Sequence, residues 1–171
     1  KPWLQVRRHS DNDSNQISYL KFKVPQDGVA VEQAILEFEG KSLSAHAYNG
    51  GFLFRIYAID ENNWEESTLT AIEAPNLYQT VSSMREVDLD HYPVGHVTSF
   101  NQPATLRADV TGAVREAMED GRTELTLVLI REVHQPAENT DSDYAQIASR
   151  EAGSKEAPKV YLYRETTKEI K

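Results

Sequence analysis

Hydrophobic and polar residues alternate in short runs along most of this chain. Residues 17–24 (Ile-Ser-Tyr-Leu-Lys-Phe-Lys-Val) are the clearest case: Leu20, Phe22 and Val24 fall on one side, Tyr19, Lys21 and Lys23 on the other. A period of two is that of a β-strand with one buried and one wet face. Residues 4–8 alternate likewise, with Leu4 and Val6 inward. Residues 29–38 predict a longer strand whose inner face is Val31, Ala34, Leu36 and Phe38. Helix formers between Glu32 and Glu37 compete with that reading. Asp27-Gly28 and Gly40 bracket the stretch, however, and Leu36 and Phe38 alternate, so strand prevails. Residues 52–59 predict a strand with Phe54 and Ile56 inward and Arg55 and Tyr57 outward. Residues 95–99 and 104–108 predict short strands, and residues 124–131, the most apolar run, a central one.

One helix is predicted. Asp109 is a good N-cap, Val110, Ala113, Val114, Ala117 and Met118 recur at three-to-four spacing, and Gly121 suits the residue just past the end. Polar turns are expected at residues 9–15, 25–28 and 49–51. Residues 60–78 read as irregular and carry Trp64, residues 79–103 as a long connection, and residues 134–143 as an acidic loop. Near the end, residues 144–153 and 157–163 predict two short strands joined by a small-residue turn that holds Arg150-Glu151. That turn is the expected closing corner of the fold. Roughly nine or ten strands and a single helix, with no strand–helix alternation, imply an all-β, antiparallel, jelly-roll-like sandwich with one short α-helix. Residues 1–164 form one module, followed by a charged tail over residues 165–171.

At 171 residues the chain can bury one real core and not two. Its net charge of −9 argues against general nucleic-acid binding. It has no cysteine, which excludes disulfides and thiolate metal sites. No apolar run approaches the ~20 residues of a spanning helix, so no membrane partner is expected. The start at Lys1-Pro-Trp is that of a processed or excised piece.

Catalytic patterns are scarce. There is no Gly-x-Ser-x-Gly, no phosphate-cradling glycine loop, and no histidine pair at helical spacing among His9, His46, His91, His96 and His134. His91 and His96 read as ordinary loop residues. Glu65-Glu66 could supply paired carboxylates, but their neighbours suit a loop anchor better. Asp11-Asn-Asp13 with Asn15 offers either alternating calcium ligands or an Asx-turn. No cofactor is expected, a structural calcium ion there being the one alternative. The outward set Arg7, Tyr19, Lys21, Lys23, Arg55 and Tyr57 is a local excess of cations and rings on an acidic protein. Such a face suits sugar stacking and carboxylate recognition; cross-strand pairing with nearby Glu and Asp is the plainer alternative.

Several segments together resemble one family. Residues 17–24 are similar to its first strong strand, residues 63–70 (Asn-Trp-Glu-Glu-Ser-Thr-Leu-Thr) to its Trp-x-Glu-Ser-Thr-x-Thr motif, and Ala108-Asp-Val-Thr111 to its helix start. Residues 148–152 (Ala-Ser-Arg-Glu-Ala) and 158–163 (Pro-Lys-Val-Tyr-Leu-Tyr) resemble its closing corner and last strand. The order matches and most of the chain is covered. The family is the DNRLRE domain, which overlaps carbohydrate-binding module family 96. Departures are the Ala71-Ile-Glu73 that precedes Ala74-Pro75, an opening strand without a counterpart before Trp3, and a long 79–100 segment that suits a specificity insertion.

The resemblance implies a secreted, monomeric β-sandwich that binds polysaccharide without catalysis, in cis to a polysaccharide-degrading enzyme, with alginate the best-known ligand. It implies that Trp64 and Glu66 anchor the long loop and that Arg150-Glu151 anchor the corner. Uronate carboxylates would then meet Arg7, Lys21, Lys23 and Arg55, with Tyr19 and Tyr57 packing on sugar faces and Arg131 and Arg150 behind them. Other readings are a structural or adhesion module without a sugar site and, more remotely, a polysaccharide lyase.

Overall fold

The computed structural model describes residues 3–7, 16–43, 52–60, 62–65, 68–69, 85–86, 96–97, 102–131 and 144–164. In chain order they form β1 (Trp3–Arg7), β2 (Ser18–Lys23), β3 (Val31–Ser42), β4 (Phe52–Ile59), β5 (Arg85–Glu86), β6 (His96–Val97) and β7 (Ala104–Asp109), then α1 (Thr111–Glu119), β8 (Glu124–Arg131), β9 (Tyr144–Ala148) and β10 (Lys159–Arg164). The expected all-β class is what the chain adopts. The calcium candidate at residues 11–15, the acidic loop, the tail, Glu66 and most of the 79–100 segment lie outside the described residues.

Among the described residues every strand pairing is antiparallel, in two five-stranded sheets. The first sheet is built on β3, the longest strand. β7 lies along one side of it, and β10 and β9 lie along the other. β1 pairs with β9. The second sheet runs β2–β8–β4, with the short β5 and β6 against β4. β8 is central, as its apolar sequence predicts.

The core lies between the sheets. Leu36, Phe38, Leu106, Ala108, Val6 and Ile147 of the first sheet meet Leu20, Ile56, Leu125, Leu127 and Leu129 of the second. α1 closes one end with Val114 and Ala117. The helix starts one residue later than expected, because Val110 occupies the N-cap position. Asp109 still caps from outside: its Oδ1 accepts the Thr111 N–H at 2.8 Å. The C-terminus is a Schellman turn in which Gly121 donates to the Met118 carbonyl and Arg122 to that of Ala117. Gly121 sits at φ 67°, a left-handed conformation that needs no Cβ.

Two irregularities explain odd spacings in the sequence. Val31 and Ala34 both point inward although they are three apart. The ladder with β10 slips there: Tyr163 faces Gln33, Arg164 faces Val31, and Glu32 is the extra residue of a bulge. Arg115 of α1 holds the bulge open, with Nε donating to the Val31 carbonyl and Nη2 to that of Glu32, both at 2.8 Å. The second irregularity is the closing corner itself. β9 and β10 do not pair with each other; they run in line along the same side of β3, from Ser42 to Gly40 and then from Glu37 to Val31. Residues 149–158 loop out between the two halves. Ser149 Oγ accepts the Glu151 N–H at 3.1 Å and starts a 3-10 turn over Arg150–Ala152.

Candidate functional site

Each sheet has an outer face, and the two differ. In the second sheet, register places Tyr19, Val128 and Tyr57 in one row across β2, β8 and β4, and Lys21, Thr126 and Ile59 in the next. Lys23 faces Glu124, and Arg55 faces Ile130. The structure thus gathers Tyr19, Lys21, Lys23, Arg55 and Tyr57 on one surface, as alternation predicts.

Much of that surface is closed. Val128, Thr126 and Ile59 are completely buried although they lie outside the main core. Residues 62–65 fold against Thr126. Trp64, only 6% exposed, donates its indole N–H to Thr126 Oγ1 at 3.0 Å and meets Tyr19 edge-on with ring centroids 6.0 Å apart. Thr126 in turn donates to Asn62 Oδ1 at 2.7 Å, and Asn62 Nδ2 donates to the Glu124 and Asp60 carbonyls. Lys21 clamps the assembly. Its ammonium donates to the Asn62 carbonyl at 2.7 Å and to that of Trp64, stands 3.6 Å from a Glu124 carboxylate oxygen, and lies 4.6 Å from the Trp64 ring centroid. Trp64 is therefore the loop anchor that the motif implies, and Lys21 is engaged inside the fold.

The remaining candidates lie elsewhere. Arg7 belongs to the first sheet, where its backbone faces Tyr144 on β9 and bridges Gln16. Arg131 ends β8 opposite Phe54. Arg150 is exposed in the 3-10 turn of the corner.

The outer face of the first sheet holds residues that were not singled out from the sequence. Along β10, Lys159, Tyr161 and Tyr163 stand on this face, while Val160 and Leu162 pack on the core. Their spacing is about 7 Å from one to the next. Tyr161 is 41% exposed and Tyr163 55%. They head three cross-strand rows: Lys159–Glu37–Arg107, Tyr161–Ile35–Asp109, and Tyr163–Gln33. Ile35 is buried beneath this face, which gives the tyrosine row an apolar floor. At the far end Lys41 lies over the Trp3 ring, 4.4 Å from its centroid.

Charge is distributed unevenly here. The Glu37 and Glu39 carboxylates of β3 lean towards β7. Arg107 holds Glu37 Oε2 with Nε at 2.8 Å and Nη2 at 2.7 Å, and Thr105 Oγ1 donates to Glu39 Oε1. On the β10 side, Lys159 donates to the Lys155 carbonyl at 3.3 Å and, among the described residues, has no carboxylate within ion-pair distance. The signal for this face was legible in Lys159-Val-Tyr-Leu-Tyr163, whose alternation is as clean as that of β2. Two adjacent exposed rings and a cation on an edge strand can stack on pyranose faces and meet an anionic substituent.

The sequence matches the family model described as carbohydrate-binding module family 96 over residues 1–163, and the chain belongs to that family. No curated protein matches it.

Proposed function

We propose that this member of carbohydrate-binding module family 96 binds an acidic, uronate-containing polysaccharide, with alginate the foremost candidate, and does so without catalysis. We further propose that it is secreted and acts in cis to a polysaccharide-degrading enzyme, holding that enzyme on its substrate. Family membership supports carbohydrate binding. The observation that carries the finer reading is the β10 row, where Lys159 stands beside the exposed Tyr161 and Tyr163. Stacked rings recognise the sugar faces, and the ammonium meets a ring carboxylate. The outward leaning of Glu37 and Glu39 towards β7 reduces local repulsion of a polyanion on the β10 side. The net charge of −9 opposes approach at long range, so added salt both relieves that repulsion and weakens the local pairing.

The glycan is proposed to lie along β10, with Lys159, Tyr161 and Tyr163 contacting successive parts of one chain. Arg7, Arg55 and Lys23 remain peripheral candidates, whereas Lys21 acts through the fold. Affinity electrophoresis on alginate, pectin and neutral glucans tests the reading. Retardation by alginate is expected, with Tyr161→Ala and Tyr163→Ala each weakening it about tenfold, equivalent to about 1.4 kcal/mol. Unaltered retardation in both variants would remove β10 from the site. Retardation by no glycan would favour a structural or adhesion module instead. Release of unsaturated uronate, followed by ultraviolet absorbance, would overturn the non-catalytic assignment.

A further inference from the structure

We infer that Glu37 is a specificity-determining residue that sets how strongly the open face holds an anionic glycan, because it withholds Arg107 from the ligand. The inference rests on the β10 reading above. Lys159, Glu37 and Arg107 form one cross-strand row on the outer face of the first sheet. Arg107 is the more exposed partner, with 58% of its side chain accessible against 25% for Glu37. Two of its donors, Nε and Nη2, converge on the single oxygen Oε2 of Glu37.

A guanidinium presents a planar fork that matches a carboxylate in two-point fashion. The fork edge best suited to a ligand carboxylate is the one already closed on Glu37. A uronate that approaches the row therefore meets one available cation, Lys159, beside an internally neutralised pair. Lys159 is a point charge that imposes little directionality, whereas Arg107 would impose a fixed orientation. Glu37 thus holds the module to a weaker, less directional grip on each carboxylate. Such a grip suits a module that must release and re-engage along a polymer. A neutral glycan offers Arg107 no competing carboxylate and is indifferent to the arrangement.

Glu37→Gln removes the competing charge and keeps the length and shape of the side chain. Binding of the intact chain to soluble alginate and polygalacturonate, measured by calorimetry at two salt concentrations, is the test. The variant should bind both polyanions about threefold to fivefold more tightly than wild type at low salt, the worth of a surface ion pair made available, and lose that gain at high salt. Arg107→Ala bares the Glu37 carboxylate beside Lys159 and should weaken polyanion binding, and the double variant Glu37→Gln/Arg107→Ala should lose the gain. A neutral glucan serves as the control and should show no difference.

Unchanged or weaker polyanion binding by a folded Glu37→Gln variant would overturn the inference, as would a gain that survives in the double variant. The outcome is separable from the β10 reading. Loss of affinity in Tyr161→Ala with no effect of Glu37→Gln sinks the inference alone. A wild type that binds no polyanion sinks the reading, while an induced affinity in Glu37→Gln would still sustain the role of Glu37.

Discussion

The Lys21 ammonium has three donors and sits among the Asn62 carbonyl, the Trp64 carbonyl and the Glu124 carboxylate, with the Trp64 ring at its side. Only 18% of its side chain is exposed. Its removal would strand two carbonyls in a partly buried setting and loosen the segment that packs on Thr126. Lys21→Met keeps the aliphatic stem and loses the donors. It is expected to lower unfolding free energy by about 2 kcal/mol, read from chemical denaturation, while the folded fraction keeps its glycan affinity. A stable variant with lost affinity would return Lys21 to the binding surface. The contrast with Lys159 is instructive at this scale. Both occupy outward positions of strands with the same alternation, yet one is enclosed by a loop and the other stands open. Alternation reports only which way a side chain leaves the sheet. What covers it there depends on residues about forty positions away in sequence, such as Asn62 and Trp64.

Elements are joined here by a few specific clasps. The last residue of β10 is tied to the turn between β2 and β3: Arg164 Nη1 meets Asp27 Oδ2 at 2.5 Å, and Asp27 Oδ1 accepts the Val29 N–H at 3.1 Å. The hydrogen bond from Arg164 and then the Val29 amide hold the Asp27 carboxyl below its ordinary value of 3.8. A carboxyl whose folded value lies below its unfolded one stabilises the fold above the unfolded value. That contribution is lost as pH falls through the folded value. The gap in melting temperature between wild type and Asp27→Asn should therefore be present near neutral pH and close as pH drops below about 3.8. Asparagine retains an acceptor for Val29, so the comparison isolates the charge. A gap that is constant with pH would dismiss the clasp. Local pattern also accounts for the elements that were legible. The three-to-four spacing of Val114 and Ala117 gave α1, and the apolar run at residues 124–131 gave the central β8. The bulge at Glu32 was written in the Val31–Ala34 spacing. Its cause, two carbonyls held by Arg115, is a tertiary contact that no local window contains.

At the scale of the molecule, the sandwich has one outer face substantially enclosed and one that carries exposed rings. Family membership and the all-β class could be read from the order of short motifs, because each motif encodes a local demand: a Trp anchor, a helix start, a corner. The binding surface could not be read in the same way. Arg107, Glu37 and Lys159 come from β7, β3 and β10 and become neighbours only through long-range pairing, with Arg107 already 70 residues from Glu37 and Lys159 farther still. The corner at residues 149–158 shows the same limit. Two strands close in sequence look like a hairpin, but β3 takes both along one side, and only the full set of pairings reveals it.

The chain has two tryptophans, and each sits on a different outer face. Trp64 is enclosed beneath Lys21, whereas Trp3 is half-buried on the first sheet beside Lys41. This gives the protein a pair of built-in optical probes with separate duties. Iodide should quench the Trp3 emission and leave the Trp64 emission nearly untouched until the fold opens. A glycan bound across the first sheet as far as Trp3 should shield it from the quencher without altering the Trp64 signal. Emission from Trp3→Phe and Trp64→Phe variants separates the two contributions. A ligand-induced change in Trp64 emission with Trp3 quenching unaltered would move the ligand to the other side of the sandwich.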